Sequence, residues 1–272
     1  MKKIILVTGA SSGMGKDFAL QLVKEGHTVY GAARRIEKMD DIAAAGGHTI
    51  AMDITNEENV QTCVDKIKSE QGRIDVLINN AGFGLYGAVE DVTMEEARYQ
   101  FDVNLFGLAG LTQKVIPHMR KRHSGTIINI SSMGGKMYTP LGAWYHATKH
   151  ALEGWSDALR LELQQFGINV VIVEPGAITT EWGGIMSKPM LERSIGGAYE
   201  NMAKQIADRT DEMYEKGEGS PVSVITDLVS KAVNSTRPKT RYAGGKYAKP
   251  MMWIRKYLGD RIFDKAVMSQ IK

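Results

Sequence analysis

The chain alternates, over its first 180 residues, between short β-branched apolar runs and longer amphipathic segments. Continuous apolar runs of this length are typical of strands that are buried on both faces of a sheet. In the longer segments apolar residues recur every three or four positions, as on one face of a helix. The predicted strands cover residues 3–7, 28–33, 48–52, 75–78, 126–130 and 169–173, and the predicted helices cover 13–25, 57–71, 95–122 and 143–166.

This alternation predicts an α/β fold: a doubly wound parallel sheet of the Rossmann type, with helices on both faces. Ligands of such sheets bind beyond the carboxyl ends of the strands, which is where the polar and glycine-rich segments fall. The 272 residues, 43% of them hydrophobic, are enough for one large core. We therefore predict a single domain over residues 1–272.

Composition narrows the classes of function. The net charge of +3, from 34 basic and 31 acidic residues, does not indicate a nucleic-acid surface. The single cysteine, Cys63, excludes an internal disulfide and a cysteine-rich metal site. The six histidines show no cluster of metal ligands, although His146 and His150 are four residues apart, so no metal is expected. No apolar run approaches the roughly 18 residues that span a bilayer, and we expect a soluble cytoplasmic protein.

A glycine-rich loop, residues 8–15, joins the first predicted strand to the first predicted helix. Gly9, Gly13 and Gly15 let the backbone amides and the positive end of the helix approach a pyrophosphate. A glycine triplet alone is weak evidence, but here strand, turn and helix agree. The loop predicts a dinucleotide site.

Two arginines follow the second predicted strand, where NAD-selective sites usually place an acidic residue. A guanidinium can bind a 2′-phosphate through two parallel hydrogen bonds. Arg34, with Ser11 and Arg35, therefore predicts NADP(H) as the cofactor. The alternative is that Arg34 and Arg35 are a solvated start of a helix.

Tyr145 and Lys149 are four residues apart in the helix predicted over 143–166, so both side chains lie on one face. An ammonium about 4 Å from a phenol favours phenolate by roughly 4 kcal/mol at an effective dielectric constant of 20. We therefore expect Lys149 to lower the pKa of Tyr145 and make it an acid and base. Taken singly, each residue could instead be a buried aromatic or a surface lysine.

Together these motifs resemble the main, single-domain branch of the short-chain dehydrogenase/reductase family. The resemblance rests on the Gly-x-x-x-Gly-x-Gly of residues 9–15, the Tyr-x-x-x-Lys of residues 145–149, and Ser132, thirteen positions before the tyrosine. It covers roughly the first 180 residues. Beyond them, residues 241–245 look like the last edge strand of hydroxysteroid- and retinol-type members.

The resemblance implies a catalytic tetrad of Asn104, Ser132, Tyr145 and Lys149. Tyr145 would exchange the proton, Ser132 would hold the substrate oxygen, and Lys149 would also hold the ribose hydroxyls. The backbone at Asn104 would open a water route to Lys149, and Ser131 would be structural.

It also implies how the cofactor lies. Asp53 and Ile54 would frame the adenine, residues 79–82 would brace the sheet beside the ribose, and Ile178 and Thr180 would receive the carboxamide. The predicted cofactor-binding residues are Gly9, Ser11, Ser12, Gly13, Met14, Gly15, Arg34, Arg35, Asp53, Ile54, Asn80, Ala81, Gly82, Tyr145, Lys149, Pro175, Gly176, Ile178 and Thr180.

An apolar substrate site is predicted around residues 134–144. Further walls are expected from Phe83, Leu85, Trp182, Met186 and Met190. Residues 183–220 are predicted to form a lid that covers the substrate. Residues 246–272 are predicted to form a C-terminal helical tail.

In that tail Met251, Ile254, Leu258 and Ile262 recur at helical spacing among basic residues. A docked amphipathic helix explains this pattern most simply. Contact with a membrane surface through the basic flank is the alternative.

The leading hypothesis is an NADP(H)-dependent oxidoreductase that interconverts a ketone or aldehyde and an alcohol on a bulky apolar, steroid- or retinoid-like substrate. The alternatives are a nucleotide-sugar epimerase or dehydratase of the extended branch, and a non-catalytic NADPH-sensing protein. By resemblance, a homodimer or homotetramer is expected, paired through the helices predicted over 95–122 and 143–166.

Overall fold

Seven parallel strands form one sheet in the order β3-β2-β1-β4-β5-β6-β7 in the computed structural model, which describes residues 2–180, 182–269 and 271. The predicted single-domain, doubly wound parallel sheet is confirmed. The strand order reverses between β1 and β4, which is the switch point where such sheets bind ligands. The strands are Ile4–Thr8 (β1), Thr28–Ala33 (β2), His48–Ala51 (β3), Val76–Asn79 (β4), Gly125–Ile130 (β5), Ile168–Pro175 (β6) and Arg241–Gly244 (β7).

Helices cover both faces of the sheet. Six predicted strands are found within two residues of their predicted ends, and the helix predicted over 95–122 is continuous but contains a π-helical turn, Asp102–Gly107. The helices are Gly13–Lys24 (α1), Asp40–Ala44 (α2), Glu57–Gln71 (α3), Met94–Phe101 (α4), Leu108–Lys121 (α5), Ala143–Gln164 (α6), Trp182–Ser194 (α7), Glu200–Glu215 (α8), Ser223–Asn234 (α9), Ala248–Tyr257 (α10) and Gly259–Met268 (α11).

The two cores follow from the alternation of side chains along each strand. In β1, Ile4 and Leu6 point to the core under α3, α5 and α6, whereas Ile5 and Val7 point to the core under α1 and α9. Cys63 is buried in the first of these cores. Because helices cover both faces of the sheet, all five residues of β1 are buried. This burial explains why the sequence of β1 is a continuous apolar run.

Local sequence signals define where two of the helices begin or end. The Thr93 hydroxyl accepts a hydrogen bond from the Glu96 amide while the Glu96 carboxylate accepts one from the Thr93 amide, so α4 begins with a capping box. At the far end of α3, Gly72 adopts φ +74°, the left-handed conformation that glycine favours.

The C-terminal segment contains two helices, so the expectation of one docked amphipathic helix is wrong. The chain turns at Gly259, where φ is +74°. Leu258 and Ile262 are exposed, whereas Phe263 and Val267 are buried against Met137. The turn rotates the second helix, so the apolar repeat of the sequence does not continue along one face.

Within the described residues, no helix is both long enough and apolar enough to cross a membrane.

Candidate active site

A cavity of about 1110 Å³ runs along the carboxyl edge of the sheet. It is bordered by the glycine loop, the ends of β2, β4, β5 and β6, the start of α6, and helices α8, α10 and α11. The predicted site residues that line it are Gly9, Ser11, Ser12, Gly13, Met14, Arg34, Arg35, Asp53, Ile54, Asn80, Ala81, Gly82, Ser132, Tyr145, Pro175, Gly176, Ile178 and Thr180. The other three, Gly15, Asn104 and Lys149, lie behind this lining.

The glycines of the loop have two different roles. Gly9 and Gly13 adopt φ values of +67° and +52°, which L side chains rarely adopt. Gly15 has ordinary helical geometry, but a Cβ there would lie 2.3 Å from Asn80 Nδ2 and 2.4 Å from the Gly9 carbonyl oxygen. Gly15 therefore lets α1 pack against the loop.

Thr8 braces the loop, a role that the sequence analysis missed. Its hydroxyl oxygen accepts hydrogen bonds from the Asn80 and Ala81 amides, both at 3.0 Å. The Asn80 side chain returns a hydrogen bond to the Thr8 carbonyl oxygen at 2.9 Å. These bonds join the ends of β1 and β4 across the switch point. A threonine directly before the glycine triplet was the available signal.

The loop fits the phosphates of a dinucleotide. Within the described residues, Ser12 at the start of α1 makes no side-chain cap, and the first turn of this helix faces the cavity. Its amides and helix dipole are therefore directed at the space where a pyrophosphate would lie.

Two exposed guanidinium groups border this end of the cavity. Arg35 Nη2 lies 3.5 Å from the Ser11 hydroxyl and 3.4 Å from the Ser12 hydroxyl. Arg34 Nη1 donates to the Tyr99 hydroxyl at 2.9 Å. The Asp53 carboxylate instead accepts hydrogen bonds from the amide and hydroxyl of Thr55, at 2.9 and 2.7 Å. The arrangement therefore suits a negatively charged group near Ser11 and the two arginines.

Tyr145 and Ser132 meet at the centre of the cavity wall. Tyr145 is buried and forms a hydrogen bond with the Ser132 side chain. The Ser132 hydroxyl also accepts a bond from the Gly134 amide at 3.0 Å, which holds its position. Ser131 borders the cavity too, but Ser132 is the serine that meets the tyrosine.

Burial raises the pKa of Tyr145, and the hydrogen bond with Ser132 opposes that shift. The pKa of Tyr145 is therefore raised overall, and not lowered as the sequence analysis expected. Loss of hydration disfavours phenolate, and it outweighs the opposing contributions.

Lys149 follows Tyr145 by one helical turn on α6 and is buried. Its Nζ donates a hydrogen bond to the carbonyl oxygen of Ile130 at 2.8 Å. Burial lowers its pKa to about 8, and the nearby charge of Glu153 opposes that shift. The side chain is therefore still largely protonated at neutral pH.

A buried ionic cluster lies one helical turn beyond Lys149. Glu153 is 2.9 Å from Lys136 Nζ and 3.1 Å from Arg241 Nη2. The same guanidinium lies 2.6 Å from Asp157 and 3.4 Å from Glu174. Burial raises the pKa of Glu174 to about 6. Sequence reasoning missed this cluster, although the spacing of four between Lys149 and Glu153 was a usable signal.

Asn104 lies in the π-helical turn, and its side chain holds the chain after β4. Its Nδ2 donates to the Phe83 carbonyl oxygen at 2.9 Å and to the Thr148 hydroxyl at 3.1 Å. Its Oδ1 accepts from the Phe83 amide at 3.1 Å. The extra residue of a π turn commonly marks a functional position. Here the π turn that follows α4 directs the Asn104 side chain to Thr148 on α6 and to Phe83 in the cavity wall.

His146 orders the loop between Ser132 and Tyr145. Its Nδ1 lies 3.0 Å from the Gly134 carbonyl oxygen, so this nitrogen carries the proton. Its Nε2 then accepts from the Thr139 amide at 3.0 Å. Burial lowers its pKa to about 4, so the ring is neutral near pH 7.

The far end of the cavity is apolar, and its walls match the prediction in part. Met186 lines this end, whereas Phe83 lines the cavity beside Tyr99, whose hydroxyl accepts from Arg34. Leu85 and Met190 are buried in neighbouring clusters. The side chain of Trp182 lies outside the described residues. From the predicted stretch 134–144, Gly134, Met137, Thr139 and Pro140 line the cavity. Walls that the sequence analysis did not assign come from Tyr86, Met133, Ile206, Arg209, Met213, Tyr247, Met251, Ile254, Val267 and Ile271.

Comparison with known proteins places the chain in a family. The sequence model of the short chain dehydrogenase family matches residues 3–189. A solved short-chain dehydrogenase from Streptomyces avermitilis has a TM-score of 0.78 and 33% identity, covering 97% of each chain. This chain belongs to the short-chain dehydrogenase/reductase family, which uses a nicotinamide cofactor.

Two further relatives bear on the ligands. A 3-ketodihydrosphingosine reductase from Bacteroides thetaiotaomicron is 47% identical over 178 residues, which are 65% of each chain. The match thus spans just under two thirds of that relative. The closed form of a serine dehydrogenase complexed with NADP+ has a TM-score of 0.76 and 25% identity, covering 89% of this chain and 94% of that one.

Proposed function

We propose that this protein is an NADP(H)-dependent oxidoreductase that interconverts a ketone or aldehyde and the corresponding alcohol on a bulky apolar substrate. The observation that carries the proposal is the continuous cavity. It joins the arginines beside the glycine loop to Tyr145 and Ser132 and then continues between apolar walls. The nicotinamide, when bound, supplies or accepts the hydride.

The two arginines support NADP(H) rather than NAD(H). A 2′-phosphate beside Ser11 would be bound by Arg34 and Arg35 through charge-assisted hydrogen bonds. Asp53, the nearby acid, already accepts two hydrogen bonds from Thr55. The serine dehydrogenase relative is bound to NADP+.

Tyr145 is the proton donor in the reductive direction. Because burial raises its pKa, the phenol holds its proton at neutral pH and can deliver it to a carbonyl oxygen. Ser132 donates a second hydrogen bond to the same oxygen. Lys149, one helical turn after Tyr145 on α6, holds a buried positive charge that would stabilise the phenolate left by the transfer.

The walls beyond Tyr145 favour a large apolar substrate. Met133, Met137, Met251 and Ile254 line this end, and flexible thioether side chains adapt to extended or ring-shaped hydrocarbons. Steroid-like, retinoid-like and other apolar carbonyl compounds fit this description. The Bacteroides relative is named for a keto substrate.

We propose that residues 183–220 act as a lid. Met186, Met190, Ala203 and Ala207 pack in one apolar cluster with Tyr145 and Tyr86. Arg193 anchors the segment by donating to the Tyr86 carbonyl oxygen at 3.1 Å and pairing with Glu96. Bound NADPH should therefore slow proteolysis at the exposed turn around Ile195.

We also propose a homodimer or homotetramer. Phe106 and Leu161 are exposed on the helices predicted to pair, although both are large and apolar. Light scattering checks this, and a monomer at micromolar concentration would contradict it.

The test of the function compares NADPH consumption by the parent and by Tyr145→Phe over a panel of bulky ketones. Loss of the proton donor should reduce turnover by about 10²- to 10⁴-fold. Tyr257→Phe is the control, because Tyr257 is 61% exposed and does not line the cavity, so turnover should change little. Unchanged turnover in Tyr145→Phe would remove Tyr145 from the mechanism. Binding of NADPH without turnover of any ketone would favour the sensing protein.

A further inference from the structure

The outer face of the C-terminal helix pair is unusually apolar for an exposed surface. Trp253, Tyr257, Leu258 and Ile262 are 55%, 61%, 41% and 50% exposed, and we call these four residues the outer face. The rings of Trp253 and Tyr257, one helical turn apart, lie 5.6 Å from each other. A different side of α10, about a third of a turn away, is apolar too, since Met251 and Ile254 line the cavity. A helix that is apolar on both sides implies contact on both sides.

Positive charge surrounds the outer face. Residues 246–272 contain seven basic and two acidic residues, a net charge of +5 that exceeds the +3 of the whole chain. Both acids have partners, since Asp260 pairs with Arg255 at 2.6 Å and Asp264 accepts from the Tyr138 hydroxyl at 3.0 Å. Exposed basic side chains that form no ion pair with a described residue are Lys249, Lys256, Arg261 and Lys265.

The helix pair also separates the cavity from the surroundings. Phe263 and Val267 pack with Met137, and the Arg255 guanidinium lies 5.2 Å from the Tyr138 ring, which holds the pair on the body of the protein. Met251, Ile254 and Val267 belong to the same cavity lining as Tyr145. The apolar end of the cavity therefore lies directly beneath the outer face.

We propose that the outer face docks on an anionic lipid bilayer and that the apolar substrate passes from the bilayer into the cavity. Exposed tryptophan and tyrosine beside lysine and arginine are the side chains that favour the interface of a membrane with negatively charged headgroups. A second copy of this chain fits less well, because a two-fold contact would bring the same basic residues together. The docking is independent of the chemistry, and only the passage of substrate rests on the proposed function.

The experiment measures co-sedimentation of the full chain with vesicles. Vesicles of phosphatidylcholine alone are compared with vesicles that contain about 30% phosphatidylglycerol, at low and high salt. We expect at least about tenfold more bound protein on the anionic vesicles at low salt and a decrease at high salt. Failure of the parent to sediment with anionic vesicles would overturn the proposal.

Two variants and a control locate the contact. Trp253→Ser with Tyr257→Ser removes the aromatic anchors, and Lys256→Glu with Arg261→Glu reverses two charges. Each should lose most of the vesicle binding, whereas Val89→Ser, which alters an apolar side chain 62% exposed elsewhere, should keep it. Full vesicle binding by both double variants would overturn the proposal. It would also be overturned if the aromatic variant kept its vesicle binding but changed its oligomeric state, because the outer face would then contact a second copy of the chain.

Turnover of a water-soluble ketone separates this proposal from the proposed function. It should be the same in the parent and both double variants, because none of the four substituted residues lines the cavity. Vesicle binding by a parent that turns over no carbonyl compound would leave the docking intact and overturn the function and the passage of substrate.

Discussion

Lys149 donates a hydrogen bond from its Nζ to the backbone carbonyl oxygen of Ile130, at 2.8 Å. Lys149 belongs to α6, which also carries Tyr145, and Ile130 is the last residue of β5, two positions before Ser132. The bond therefore sets the position of the tyrosine relative to the serine. Since the bond holds a buried cation one helical turn from the tyrosine, the charge of that cation should govern the pH dependence of the reaction.

We expect kcat/KM to fall as pH rises above about 8, where Lys149 loses its proton. Glu153 raises the pKa of Lys149, so Glu153→Gln should lower that pKa and move the alkaline fall to lower pH. Asp157→Asn is the control, since Asp157 shares the Arg241 partner but lies a further helical turn from Lys149. If the alkaline fall of kcat/KM moved equally in both variants, the effect would come from the lost ion pair with Arg241 and not from the charge of Glu153 on Lys149.

Arg34→Ala should weaken NADPH binding by about 10- to 100-fold, the effect of losing a charge-assisted hydrogen bond worth roughly 1.5–3 kcal/mol. Binding of NADH, which lacks the 2′-phosphate, should not change. Lys24→Ala removes an exposed charge at the far end of α1, away from the cavity, and should leave both affinities as they are. Fluorescence titration provides the measurement, and equal affinity of the parent for the two cofactors would refute the NADP(H) proposal.

Gly15→Ala should destabilise the protein by about 1–3 kcal/mol, because the added methyl group overlaps a backbone oxygen that cannot move freely. Gly110→Ala is the matched helical control. Its Cβ would meet nothing within 4 Å, so it should stabilise the protein by about 0.5–1 kcal/mol through helix propensity. Urea denaturation measures both changes. Equal stability of the two variants would contradict the close packing of α1 on the loop.

Stability should fall on acidification because of His146. Its pKa is about 4 in the folded protein against an ordinary value of 6.5, so the unfolded chain takes up the proton first as pH decreases. The free energy of unfolding should decrease between pH 6.5 and 4, by roughly 3 kcal/mol in total. His146→Gln cannot gain this proton and should flatten the dependence, whereas the exposed His150→Gln should keep it. Urea midpoints of the parent and both variants across this pH range provide the measurement. An equally steep fall in His146→Gln would contradict the prediction.

Much of the fold was predictable because its signals are local or periodic. Buried parallel strands need continuous apolar runs, so the strands were found within two residues of their predicted ends. The edge that holds the cavity follows from the parallel order alone. The spacing of Tyr145 and Lys149 likewise required only the geometry of one helix.

Other features required the folded chain. The C-terminal helices showed an apolar repeat in sequence, but the turn at Gly259 decided which residues face the cavity and which face outward. The role of Thr8 depends on Asn80, and that of Glu153 on Arg241, each pair being far apart along the chain. No local pattern encodes such pairs.

The sequence by itself determined the order of strands and helices, the dinucleotide loop and the presence of a phenol and an ammonium on one helical face, since each depends on neighbours within a few residues. Only the tertiary structure decided the protonation of these groups. Burial raises the pKa of Tyr145 and lowers that of Lys149, because hydration depends on everything packed around a side chain.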